Sequence, residues 1–271
     1  MKNNNQNIVS IAERMKVVLL NQGFWDSKPQ HKAESREENI RHSLESNDAE
    51  VRIKLVKNHE SLSKAKSIKG QIYIEHRRLT LPSPVDGMRI VPMGREFEHS
   101  DKISKLRQEF ISHVQVFLDD YDNVVESSRQ RLKGLFDQNM FPPQHVMKSK
   151  FYNNVKYMDC PTSGSWGEWI GETVELGRIE LRDRLVVSAR KLIDTCQGDG
   201  KLYSSVLENL EDICDLTGDF NLSEDPIIAR AAKELLPIAT DFSAEVLRDN
   251  KSLRANTAIR AKQILSVLNL S

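Results

Sequence analysis

A chain of 271 residues with 39 basic and 39 acidic side chains, 39% hydrophobic and 6% aromatic, can bury the core of one large domain or two modest ones. Its zero formal charge argues against a generic electrostatic binder of nucleic acid or anionic membrane, which carries a large basic excess. Cys160, Cys196 and Cys214 lack C-x-x-C spacing, against a disulfide framework or zinc site, and no apolar run reaches the roughly 18 residues of a spanning helix.

Few glycines and prolines, and apolar residues recurring every three or four positions, predict a mostly α fold. The polar start Met1 to Asn7 leads into a predicted helix from about Ile8 to Leu20, with Ile8, Ile11, Met15, Val18 and Leu19 on one face and Gly23 as its stop. Glu13, Arg14 and Lys16 interrupt what would have to be a signal-peptide core, so a cytoplasmic location is expected. From Ser35 to Lys66, Ile40, Leu44, Val51, Leu55, Leu62 and Ala65 fall near a seven-residue pattern and predict a long, wet helix. From Asp101 to Phe136 the pattern strengthens through Ile103, Leu106, Phe110, Val114, Phe117, Tyr121 and Val124. Two long helices with narrow seams predict an elongated, coiled-coil-like hairpin that can close within one chain or between two copies.

Between them Gly70 to Glu98 holds Pro82, Pro84, Gly87, Pro92 and Gly94, which predicts an irregular tip. Asp86-Gly87 can turn a β-ribbon there, pairing Ile72-Tyr73-Ile74 with Met88 to Val91. After Pro142-Pro143 a short helix from Gln144 to Phe151 precedes an extended Val155 to Met158 and a loop from Asp159 to Ser165. Helices are then predicted from Trp166 through Leu192, Leu202 to Leu216, Asp225 to Ala239 with a kink at Pro237, Ser243 to Leu247, and Ser252 to Leu268. Ser223-Glu224-Asp225-Pro226 is a strong helix start, a capping side chain beside a first-turn proline. The expected organisation is residues 1–34, a hairpin over 35–138 with its tip at 70–98, and a compact helical portion over 139–271.

Charge is uneven along the chain. Residues 201–249 hold eleven acids against four bases, whereas residues 250–271 hold Lys251, Arg254, Arg260 and Lys262 and no acid. That basic final helix can pack across the acidic region or meet an anionic partner. At the tip, Arg77, Arg78 and Arg89 form a basic cluster that is either a solvated loop with ordinary salt bridges or a surface able to meet phosphate or an acidic protein. Trp166 and Trp169 either pin the helix that follows the small-residue loop or, if exposed, serve as interface anchors. The loop has the strand-to-helix setting of a phosphate cradle but neither G-x-x-x-x-G-K-[ST] nor G-x-G-x-x-G. The seven histidines lack H-x-x-x-H spacing, so neither metal nor cofactor is expected. Cys160, ahead of Pro161, has no base assignable to it and reads as a buried thiol. Glu208, Glu211, Asp212 and Asp215 read as a solvated helix face.

The order of Thr80-Leu81-Pro82, Asp86 to Pro92, the helix ending Tyr121 to Phe136, Phe141-Pro142-Pro143, Phe151, Cys160-Pro161, Leu222 to Pro226 and Leu247 to Arg254 resembles an uncharacterised family of bacteriophage and integrative-element proteins. Its members are often encoded near AAA+ ATPases of the MoxR or cobaltochelatase-like type. The resemblance covers roughly residues 70–268, departs at Ser83, where an aromatic usually follows the proline, and brings no catalytic residues with it. It implies a non-enzymatic interaction or adaptor protein of a phage or mobile-element assembly, acting with an AAA+ ATPase through the tip arginines and Trp166/Trp169. The alternative is a nucleic-acid-binding accessory using the tip with Lys251, Arg254, Arg260 and Lys262.

Overall fold

The computed structural model describes residues 9–28, 35, 37–38, 52–161, 166–198 and 202–269. A turn of helix over residues 9–12 leads into β1 (Met15–Gly23). Next come α1 (Glu60–Arg78), β2 (Leu81–Pro82), β3 (Met88–Pro92), α2 (Met93–Asp119) and α3 (Tyr121–Leu132). Two single 3-10 turns lead to α4 (Gln144–Ser149), β4 (Tyr152–Asp159) and α5 (Trp166–Gln197). The chain continues through α6 (Ser204–Phe220), α7 (Pro226–Thr240), α8 (Ala244–Asp249) and α9 (Lys251–Asn269). The fold is mostly helical, as expected, with an antiparallel sheet of order β2-β3-β1-β4.

Contacts divide the chain into two compact units. Unit 1 takes Met1–Leu19, Arg77–Ser100 and Lys156–Ser271, and unit 2 takes Leu20–His76 and Asp101–Val155. In unit 1, α5 buries Ile170, Leu181, Leu185, Ala189, Leu192 and Ile193 along one stripe, against α6 and α9. Asp225 caps α7 by accepting from the amides of Ile227 (2.8 Å) and Ile228 (3.3 Å), with Pro226 in the first turn where its missing N–H costs nothing. The expected start of that helix is therefore the observed one, and α7 continues through Pro237 to Thr240. Ser243 caps α8 in the same way through the amide of Val246.

Unit 2 has an aromatic core. Trp25 stacks on Phe117 at 6.1 Å and meets Tyr121 edge-on at 6.5 Å, while the Tyr121 hydroxyl donates to the Pro142 carbonyl at 2.8 Å. Ile103, Phe110, Val114, Phe117, Tyr121 and Val124, the expected seam, are buried here in one cluster with Leu62, Ala65, Ile68 and Ile72. Trp25 and Phe141 belong to the same cluster.

Four local expectations are corrected. The first helix stops within a turn and gives way to β1, because Met15, Val17 and Val18 are all buried in an interior strand flanked by β3 and β4. A strand covered on both faces loses its alternation, and its apolar run then mimics helical spacing. Gly23 ends that strand, and a Cβ there would overlap the Tyr152 ring. The Ser35–Lys66 helix falls partly outside the described residues; residues 52–59 are irregular and α1 begins at Glu60. Gly70 does not end α1, whose buried Ile68 and Ile72 offset the roughly 1 kcal/mol that an exposed helical glycine costs. Ile72-Tyr73-Ile74 is thus helical, and the ribbon instead pairs Leu81–Pro82 with Ile90–Arg89 around Gly87 at φ 77°. Finally, α2 starts at Met93, directly after β3, and includes Gly94.

Candidate functional site

The tip arginines lie in unit 1. Arg78 donates to Asp212 (2.6 Å) and Glu98 (2.9 Å), and Arg95 to Glu98 (3.0 Å), Asp215 (3.0 Å) and Asp219 (2.6 Å). Arg89 donates through Nε to Thr80 Oγ1 at 2.6 Å, and through Nη2 to Thr80 O at 3.0 Å and Glu180 at 3.1 Å. Burial lowers the Arg89 pKa, and the neighbouring Glu180 pulls it back up. Arg184, ion-paired with Glu180, donates to the carbonyls of Arg77, Arg78 and Thr80. It satisfies the open end of α1, where a cation also suits the helix dipole. The acidic surface that Arg78 meets is α6 of the same chain. Asp212 and Asp215 lie on the solvated face expected of them, 44% and 69% exposed, and are engaged there by Arg78 and Arg95, while the side chain of Arg77 is exposed.

At the start of α5, Trp166 and Trp169 meet edge to face, with centroids 5.3 Å apart and planes at 81°. Trp166 is 37% exposed, and Trp169 packs on the unit 1 core. Among the described residues its buried Nε1 has no hydrogen-bond partner, and neither has the hydroxyl of fully buried Thr173 one turn later. Thr162 to Ser165 of the preceding loop lie outside the described residues. Cys160 is buried and its thiol is pushed up to about 11 by desolvation, the opposite of what a nucleophile needs.

The final helix α9 packs on α5 and α7. Arg254 donates to the carbonyls of Thr195 and Gly198 at the end of α5, the latter at 2.7 Å, so it caps a helix within its own unit. Lys251, Arg260 and Lys262 are exposed. Among the described residues no group of three or more His, Cys, Asp or Glu side chains could hold a metal, and no helix is long and apolar enough to cross a membrane.

Sequence reasoning missed a polar cleft of about 600 Å³ in unit 2, between the segment that precedes α1 and the α2–α3 junction. His59 stands in its wall. Its Nδ1 accepts the Leu62 amide at 3.2 Å, which places the ring proton on Nε2, 3.5 Å from Asp120 Oδ2. The other Asp120 oxygen accepts from Asn123 at 2.8 Å. Because the imidazole lone pair is taken by a backbone N–H, His59 is placed neither to ligate a metal through Nε2 nor to act as a base. It orients Asp120. Arg131 is fixed by donating to the carbonyls of Lys54 (2.8 Å) and Leu55 (2.6 Å). The local signal for this wall was a polar Asn58-His59 immediately before a helix, with Asn58 in the left-handed region at φ 58°.

No family model matches the chain, and neither the curated proteins nor the solved structures contain a match.

Proposed function

We propose that this chain is a non-enzymatic interaction protein whose contact surface is centred on Trp166. The supporting observation is the indole pair itself: a partly exposed Trp166 resting edge-on against Trp169, which is seated on the core. A tryptophan backed by a second, anchored aromatic has little conformational freedom to lose on binding and a large apolar face to bury, the character of an interface hot spot. Within this proposal α1 and α2, whose apolar residues share the unit 2 core, are the arms of the hairpin. The family resemblance supplies the setting, an adaptor in the bacterial or phage-infected cytoplasm acting with an AAA+ ATPase. Arg78 and Arg89 serve the fold in this reading, and Arg77 remains at the surface.

The test is affinity capture of the tagged full-length protein from its host, with and without nuclease, beside the Trp166→Ala variant. A stoichiometric protein recovered despite nuclease, and reduced at least about tenfold by Trp166→Ala at unchanged thermal stability, supports the reading. Undiminished capture by the variant removes Trp166 from it. A second reading, a nucleic-acid accessory, draws on the exposed Lys251, Arg260 and Lys262 of α9. Nuclease-sensitive capture with steep loss in salt would put it first.

A further inference from the structure

We propose that the unit 2 cleft binds a phosphate-bearing small molecule, with Lys57 and Arg131 as its cationic wall and Asp120 accepting a ligand hydroxyl. Its volume, about 600 Å³, falls in the range of small-molecule sites. Among the described residues, Lys57 and Arg131 bring two cations to the cleft against the carboxylate of Asp120. That carboxylate already accepts from Asn123 and faces the Nε2 proton of His59, which blunts its repulsion of an anion.

The wall is also preorganised. Arg131 spends one guanidinium nitrogen on the carbonyls of Lys54 and Leu55, which holds the remaining N–H groups in place for an anion that the guanidinium fork suits. The imidazole of His59 is locked by its bond to the Leu62 amide and by an edge contact with Phe117 at 5.1 Å. Asp120 is 47% exposed and able to take a further donor. Val56 and Val124, at the floor of the same cleft, are core residues only 6% exposed. Two cations beside a carboxylate acceptor match a phosphorylated sugar, which brings hydroxyl donors as well as an anion, better than a free anion.

Isothermal titration calorimetry of the full chain with ribose 5-phosphate, inorganic phosphate and ribose tests this. Ribose 5-phosphate is expected to bind with Kd of about 1 mM or tighter, inorganic phosphate more weakly and ribose not at all. Lys57→Glu, at an exposed position, is expected to weaken ribose 5-phosphate at least about tenfold without moving Tm. Lys150→Glu, outside the cleft, should leave binding intact. Asp120→Ala, which removes the acceptor, should remove most of the preference for ribose 5-phosphate while retaining inorganic phosphate. Absence of heat up to about 10 mM ribose 5-phosphate, or equal losses from Lys57→Glu and Lys150→Glu, overturns the site. Equal affinity of the wild-type chain for ribose 5-phosphate and inorganic phosphate overturns the role of Asp120.

Discussion

Replacing Arg89 with alanine asks whether the basic tip is a recognition surface or part of the fold. The side chain is 15% exposed and makes three hydrogen bonds, two to Thr80 and one to Glu180. Hydrogen bonds to a charged group each contribute about 1.5–3 kcal/mol, and removing one partner of a buried pair adds the cost of the polar groups left behind. Here that cost is reduced, because Glu180 and the Thr80 carbonyl keep Arg184. The net loss is expected at about 2–3 kcal/mol, a fall in Tm of roughly 5–10 °C for a chain of this size. Arg77→Ala, at an exposed side chain, should stay within roughly 1–2 °C of wild type. Arg89→Lys keeps the charge but lacks the fork, and should recover less than half of the loss. Differential scanning calorimetry of the three variants is the assay. If Arg89→Ala melts with Arg77→Ala, the network around Glu180 contributes nothing and the tip regains its standing as a free basic surface.

Three further outcomes follow from the same packing. Burial pushes the Cys160 thiol up to about 11, Cys214 up to about 12, and Cys196 upward. The native chain thus keeps its protons where the unfolded chain, at about 8.5, loses them. Stability from these thiols is full below that unfolded value and is lost as pH rises toward the folded values. Urea midpoints should fall across that alkaline window, less steeply in Cys214→Ala corrected for its own midpoint at neutral pH. Asp225→Ala removes the acceptor of two first-turn amides of α7 and should cost about 1–2 kcal/mol by denaturant titration, with Asp225→Asn or Asp225→Ser restoring most of it. A Cβ on Gly94 would overlap the Asp219 carboxylate that holds Arg95. Gly94→Ala should therefore destabilise wild type by about 1 kcal/mol, where the carboxylate must move, but be neutral or stabilising by up to about 1 kcal/mol in an Asp219→Ala background.

The helices from α5 onward were legible in the sequence because their determinants are local. Ile170, Leu181, Leu185 and Leu192 repeat with the period of the helix they occupy, and Asp225 and Ser243 cap amides two or three residues away. Trp166 and Trp169, three residues apart on one helix, were brought together by that same period. A helix closes its hydrogen bonds within itself, so its sequence carries both its period and its ends.

What only the tertiary structure decided depends on partners distant in the chain. Met15 to Gly23 is a strand because β3 and β4 lie on either side of it, and nothing within those residues names those neighbours. Whether Arg78 and Arg89 are a contact surface or ion-paired within the fold is settled only when Asp212 and Glu180 are placed beside them. His59 and Asp120 belong to separate predicted helices and meet across one cleft. Strand pairing and ion pairing are completed by groups far away in sequence, and periodicity within a window carries no information about which distant group arrives.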